Sequence, residues 1–112
     1  MAHPATRHFS HQRFTAMIQV PLVIWFIVSI LQNLGATRAE FMAWLGEPLT
    51  AILMSLFVLS IFYHMSLGMA EVIEDYIHTK STRKALLRLN SIVALILGTI
   101  SFFSIISITL IV

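Results

Sequence analysis

The sequence predicts an all-α membrane protein with three transmembrane helices. Two observations carry that reading. Hydrophobic residues make up 58% of the 112 and charged residues only 11%, against about 25% charged in a typical soluble domain. The mean hydropathy is +0.89, and a soluble chain this short cannot cover so much apolar side chain. The apolar residues also gather into three long runs, each enough to cross roughly 30 Å of hydrocarbon at about 1.5 Å per residue. Lipid tolerates sheets only as closed barrels, so helices are the spanning elements. The length fits one domain, residues 1–112.

The first span is expected at about residues 14–34, "FTAMIQVPLVIWFIVSILQNL". It holds no charge, although Gln19, Pro21, Ser29, Gln32 and Asn33 make it the least oily of the three. Pro21 is a candidate bend, of a kind that neighbouring helices absorb. The segment "GATRAEFMAWLGEP" follows as a connection. Its Trp44 suits an interfacial anchor, and Pro48 suits the first turn of a helix, where no N–H is needed. The second span is expected at about 48–76, with its uncharged centre from Leu49 to Ala70. After "HTKSTRK" the third runs over about 84–112, uncharged beyond Arg88, with Ser81 or Thr82 as its expected N-cap.

Several classes are excluded. Cysteine is absent, which removes disulfides, thiolate metal sites and cysteine nucleophiles. The net charge of +2 includes no basic run long enough for nucleic acid. The opening "MAHPATRHFSHQRFTAM" lacks the apolar core and cleavage site of a secretory signal, so the first run is expected to stay in the mature protein. His3, His8 and His11 in this arm have no metal-ligand context. Arg7 and Arg13 precede the first span, Arg38 alone lies in the first connection, and Lys80, Arg83, Lys84 and Arg88 flank the second. The positive-inside rule then puts the N-terminus and the second connection in the cytoplasm, or the matrix of a mitochondrion, and the C-terminus on the other side.

The second span carries the chemistry. In "YHMSLGMAEVIEDYIH", His64 is followed on the same helical face by Gly68, Glu71 and Asp75. The stripe descends about 16 Å from an imidazole, past a missing side chain, to two carboxylates near the membrane boundary. Lipid solvates such a face poorly, so a subunit, a cofactor or water covers it. Three readings of His64 stand side by side. It can hydrogen-bond a neighbouring helix while Gly68 permits close packing; it can ligate haem iron, with Gly68 leaving room for a flat macrocycle; or it can serve proton or ion transport. Acids crowded at one end weigh against a transporter. Glu74 lies off the stripe and reads as a solvated acid, and His78 as a surface histidine. Tyr76 beside Asp75 suits a phenol donating to a carbonyl with an acid next to it, or an aromatic-belt tyrosine beside an exposed acid.

"HMSLGMAEVIEDYIH" resembles the H-x3-G-x6-D-Y signature of the small hydrophobic membrane anchor subunits of succinate dehydrogenase. The three-span layout and the "RFTAM" ahead of the first span match as well, so the resemblance covers nearly the whole chain. It implies that His64 is an axial ligand of haem b, shared with a larger cytochrome b anchor subunit, with Gly68 beside the macrocycle. It implies that Tyr76 hydrogen-bonds a ubiquinone carbonyl with Asp75 near the proton path, and that Arg13 lies near the haem propionates and the quinone pocket. Arg13 serves equally as a positive-inside anchor. The implied partners are a flavoprotein holding FAD and an iron–sulfur subunit, with membrane lipid around the spans and no nucleic acid. The chain itself holds no catalytic centre. The "IEDYIH" variant is similar to alphaproteobacterial and mitochondrial-type members; a bacterial inner membrane is expected, with a mitochondrial inner membrane as the second alternative. Glu71 departs from the often uncharged residue at that place and receives no task. A quinol:fumarate reductase anchor and a three-span scaffold without redox chemistry are the competing readings.

Overall fold

The computed structural model describes residues 4–111, with side chains from residue 10 onward. His3 and Val112 lie outside the described residues, as do the side chains of Arg7 and His8. Four helices follow one another: α1 (Pro4–Gln32), α2 (Arg38–Gly46), α3 (Pro48–Tyr76) and α4 (Lys80–Ile111). The described residues contain no strand. Three helices are long and apolar enough to cross a membrane: α1 from Ser10, α3 and α4.

The second span occupies the limits that the sequence sets for it, starting on Pro48 in the first turn. Its last turn closes with the Ile77 N–H on Ile73 O at 2.9 Å. Three other boundaries differ. Helix α1 begins at Pro4, so most of the polar arm continues the first span as helix. It ends at Gln32 and turns through Asn33 and Gly35, whose φ of 80° favours glycine. The first connection contains α2, opened by the capping-box sequence "TRAE": Thr37 Oγ1 accepts from Glu40 N at 3.1 Å, and Glu40 Oε1 accepts from the Thr37 hydroxyl at 3.0 Å. Helix α4 starts at Lys80, with the Arg83 N–H on Thr79 O at 2.9 Å. Ser81 and Thr82 therefore sit inside its first turn, and neither is the N-cap.

Helix α3 is the spine. It packs against α1 on one side and α4 on the other, while α2 packs against α3 and α4. Among the described residues the backbones of α1 and α4 do not meet. Both long pairs are antiparallel. Phe26 stacks on Phe57 across α1 and α3, with centroids 4.6 Å apart. Across α3 and α4, Asn90 Nδ2 donates to Ser66 O at 2.9 Å and Gly98 faces Leu59 and Phe62. Trp44, expected as an anchor, is half-buried and stacks on Trp25 at 6.2 Å.

The interior includes small polar residues: Thr15, Ser29, Thr50 and Ser55 are buried alongside Leu22, Ala51, Phe57 and Ile105. Large aliphatic side chains on all three long helices face outward. This suits lipid, where association comes from close packing and interhelical hydrogen bonds. The hydroxyls of Ser104, Ser107 and Thr109 in α4 are satisfied by carbonyls four residues back in their own helix.

Candidate functional site

The stripe on α3 faces α1, and α1 answers it with a stripe of its own. Gln12, Thr15 and Gln19 recur at three- and four-residue spacing, which places them along one side of the helix. Because the helices are antiparallel, they meet α3 in reverse order. Gln19 Nε2 donates to Ser60 O at 2.9 Å. Thr15 Oγ1 lies 2.9 Å from His64 Nδ1. With its amide nitrogen turned toward the carboxylate, Gln12 donates to Glu71 Oε1 at 2.7 Å and Oε2 at 3.2 Å. The result is a polar seam of three cross-links through a largely apolar helix pair.

His64 is half-buried in the middle of this seam. Thr15, only 7% exposed, contacts its Nδ1 and donates its single hydroxyl hydrogen to Gln12 O at 2.9 Å. Nε2 makes no hydrogen bond within the described residues and is not enclosed. Gly68 lies one turn further on. A Cβ there meets only the Gln12 side chain, at 3.5 Å, an ordinary contact. The seam brings His64, Gly68 and Glu71 together with α1, and it gives Glu71 a partner.

Other expected site residues stand apart. Asp75 and Tyr76 close α3 and are exposed, Tyr76 at 75%, and neither side chain hydrogen-bonds within the described residues. Tyr76 lies twelve residues beyond His64, about 18 Å along the axis. Arg13 is exposed next to Gln12, at the level where α1 meets Glu71. Among the described residues no group of three or more His, Asp or Glu side chains converges as a metal cage. Among the described residues the seam holds one imidazole, that of His64.

Three features escaped the sequence reading. Gln12 and Thr15 were hidden in an arm and a span edge, although their spacing with Gln19 was legible. His11, expected as an interfacial or surface histidine without metal-ligand context, lies 3.4 Å from the Tyr63 hydroxyl. Beside them a crevice of about 480 Å³ runs between α1 and α3, lined in part by His11, Thr15, Ser60 and Tyr63. Ser60 Oγ is buried there without a hydrogen bond, alone in this among the described side chains.

The family model described as "Succinate dehydrogenase/Fumarate reductase transmembrane subunit" matches residues 1–106. The succinate dehydrogenase hydrophobic membrane anchor subunit of Rickettsia bellii (strain RML369-C) is 31% identical over 105 residues, 91% of this chain and 84% of that protein. The subunit of the same name from Rickettsia conorii (strain ATCC VR-613 / Malish 7) is 32% identical over 77% of this chain and 69% of its own length. That of Paracoccus denitrificans is 29% identical, over 75% of this chain and 64% of its own length.

Proposed function

The chain belongs to the succinate dehydrogenase/fumarate reductase transmembrane subunit family, and from that premise we propose that His64 would hold the iron of a haem b shared with a second anchor subunit, while Tyr76 and Asp75 would form part of a ubiquinone-reduction site. As a member, the chain is an anchor subunit of a larger enzyme complex and is not itself catalytic. Its named relatives favour succinate oxidation over fumarate reduction as the direction of that complex.

The observation that carries the haem reading is an imidazole held in mid-span whose Nε2 makes no hydrogen bond among the described residues. The donor set fits. A neutral imidazole is a haem ligand, and one such ligand from this chain leaves the other to a partner. Gly68, set against Gln12 of α1, keeps the next turn narrow, and Arg13 carries a guanidinium, the group that pairs with a carboxylate such as a propionate. Haem bound there supplies a one-electron redox centre. The chain's own residues hold and orient it.

At the end of α3 the exposed phenol of Tyr76 is free to donate to a quinone carbonyl. That bond strengthens as negative charge develops on the oxygen during reduction. The quinone takes two electrons and two protons to become the quinol, and Asp75 is the adjacent acid on the proton side. The electrons come from a flavoprotein and an iron–sulfur subunit, which bring FAD and clusters to the complex. With four basic residues around the second connection, that end faces the cytoplasm of a bacterial inner membrane, and the C-terminus faces the periplasm.

The test is purification of the complex in mild detergent, with and without His64→Leu. The expected result is co-purification of a flavoprotein, an iron–sulfur protein and a second multi-span subunit, with a b-type band that the variant loses or shifts. An unchanged haem spectrum in assembled His64→Leu complex defeats the ligand assignment.

A further inference from the structure

Thr15 has one hydroxyl hydrogen and two polar neighbours, Gln12 O and His64 Nδ1, each at 2.9 Å. It cannot donate to both. If Thr15 donates to Gln12 O, it accepts a hydrogen from Nδ1, and every hydrogen in the relay has an acceptor. If instead it donates to Nδ1, the imidazole hydrogen moves to Nε2, which has no acceptor among the described residues. An N–H stranded inside a membrane span is costly. The favoured state is therefore the Nδ1–H tautomer, with the Nε2 lone pair turned away from α1. Burial of Thr15, its β-branched side chain and its tie to the carbonyl one turn back hold the hydroxyl in place.

We propose that Thr15 is a positioning residue that fixes the tautomer and ring orientation of His64, and that it tunes the metal which His64 holds. This rests on the haem reading above and deepens it. A hydrogen-bond acceptor on the far nitrogen makes the near one a better donor, and such outer partners typically change metal affinity by about 10–100-fold. Better donation favours the oxidised metal, so the Thr15 hydroxyl lowers the midpoint potential of the bound iron.

The experiment uses the whole complex in membranes, with Thr15→Val, Thr15→Ser and His64→Leu. Valine keeps the shape and removes the hydroxyl; serine keeps the hydroxyl. Redox titration of the b-type band should move upward in Thr15→Val. A tenfold loss of preference for oxidised iron reads as about 59 mV for a one-electron couple. The electron paramagnetic resonance spectrum of the oxidised haem should change with it, and Thr15→Ser should retain the parent values. Haem loss in Thr15→Val with retention in Thr15→Ser supports the proposal equally. An unshifted potential and spectrum in haem-loaded Thr15→Val overturns it, and so does a Thr15→Ser complex altered as much as Thr15→Val. If His64→Leu keeps the parent spectrum, the ligand reading beneath it falls. If His64→Leu loses the haem while Thr15→Val matches the parent, this proposal alone falls.

Discussion

Helix α3 has two neighbours and treats them differently. Toward α1 it presents Ser60, His64, Gly68 and Glu71, and three side chains of α1 reach across to them. Toward α4 it presents Leu59, Phe62 and Ser66, met by Gly98 and a single side-chain hydrogen bond from Asn90. In lipid neither face is driven together by water exclusion, so both depend on fit and on hydrogen bonds. The α4 face supplies attachment with little chemistry. The α1 face spends its hydrogen bonds on fixing the register at His64, because sliding one helix by a turn unpairs all three cross-links together.

The largest expected effect lies beyond both faces, at the free end of α3. Tyr76→Phe should lower quinone reduction by about 10–100-fold, the loss of a hydrogen bond to a developing charge worth roughly 1.5–3 kcal/mol. Succinate oxidation with an artificial acceptor should persist. Equal loss of both activities means that the end of α3 serves assembly instead.

The two glycines sharpen the contrast next. Neither Gly68 nor Gly98 has a positive φ, and an added Cβ meets ordinary contacts, at 3.5 Å and 3.6 Å. Alanine at Gly98 should therefore stabilise the fold by about 0.4–1 kcal/mol in detergent unfolding of the complex. Only Gly68→Ala should disturb the haem band. A disturbed band in Gly98→Ala, or in neither, removes the special standing of the α1 face.

Smaller still is the cost of one cross-link. Gln19→Leu and Asn90→Leu each forfeit a bond to a helix carbonyl, worth about 0.6 kcal/mol in membrane proteins. Near-equal losses show that the faces differ in the number and placement of their bonds rather than in bond strength. Ser60→Ala should be the mildest, with stability unchanged or slightly raised, since it removes a buried hydroxyl that has no partner. A clear loss there reveals a partner for Ser60 in the assembled complex.

The spans were legible because hydrocarbon runs of this length admit one structure in a bilayer. The limits of α3 were legible because Pro48 opens a helix by its own geometry. Helix α2 was missed, although "TRAE" is a capping box, because nine residues between two long spans carry too little periodicity to stand out. At the site, the α3 stripe could be read since it lies along one helix. Its counterpart on α1 could not, because pairing Thr15 with His64, forty-nine residues apart, requires the register between helices. For the same reason α3 alone gives Glu71 no task, since its partner Gln12 stands on α1.

The order of the chain gives the polar seam a consequence in biogenesis. Synthesis runs from the N-terminus, so Gln12 and Gln19 of α1 reach the membrane before Glu71 and Ser60 of α3 exist. Until α3 emerges, the first helix carries side chains whose partners have yet to be translated. Its entry into lipid is therefore cheapest when delayed at the insertion machinery until both helices leave as a pair. Helix α4, with Ser104, Ser107 and Thr109 bonded to its own carbonyls, has less reason to wait.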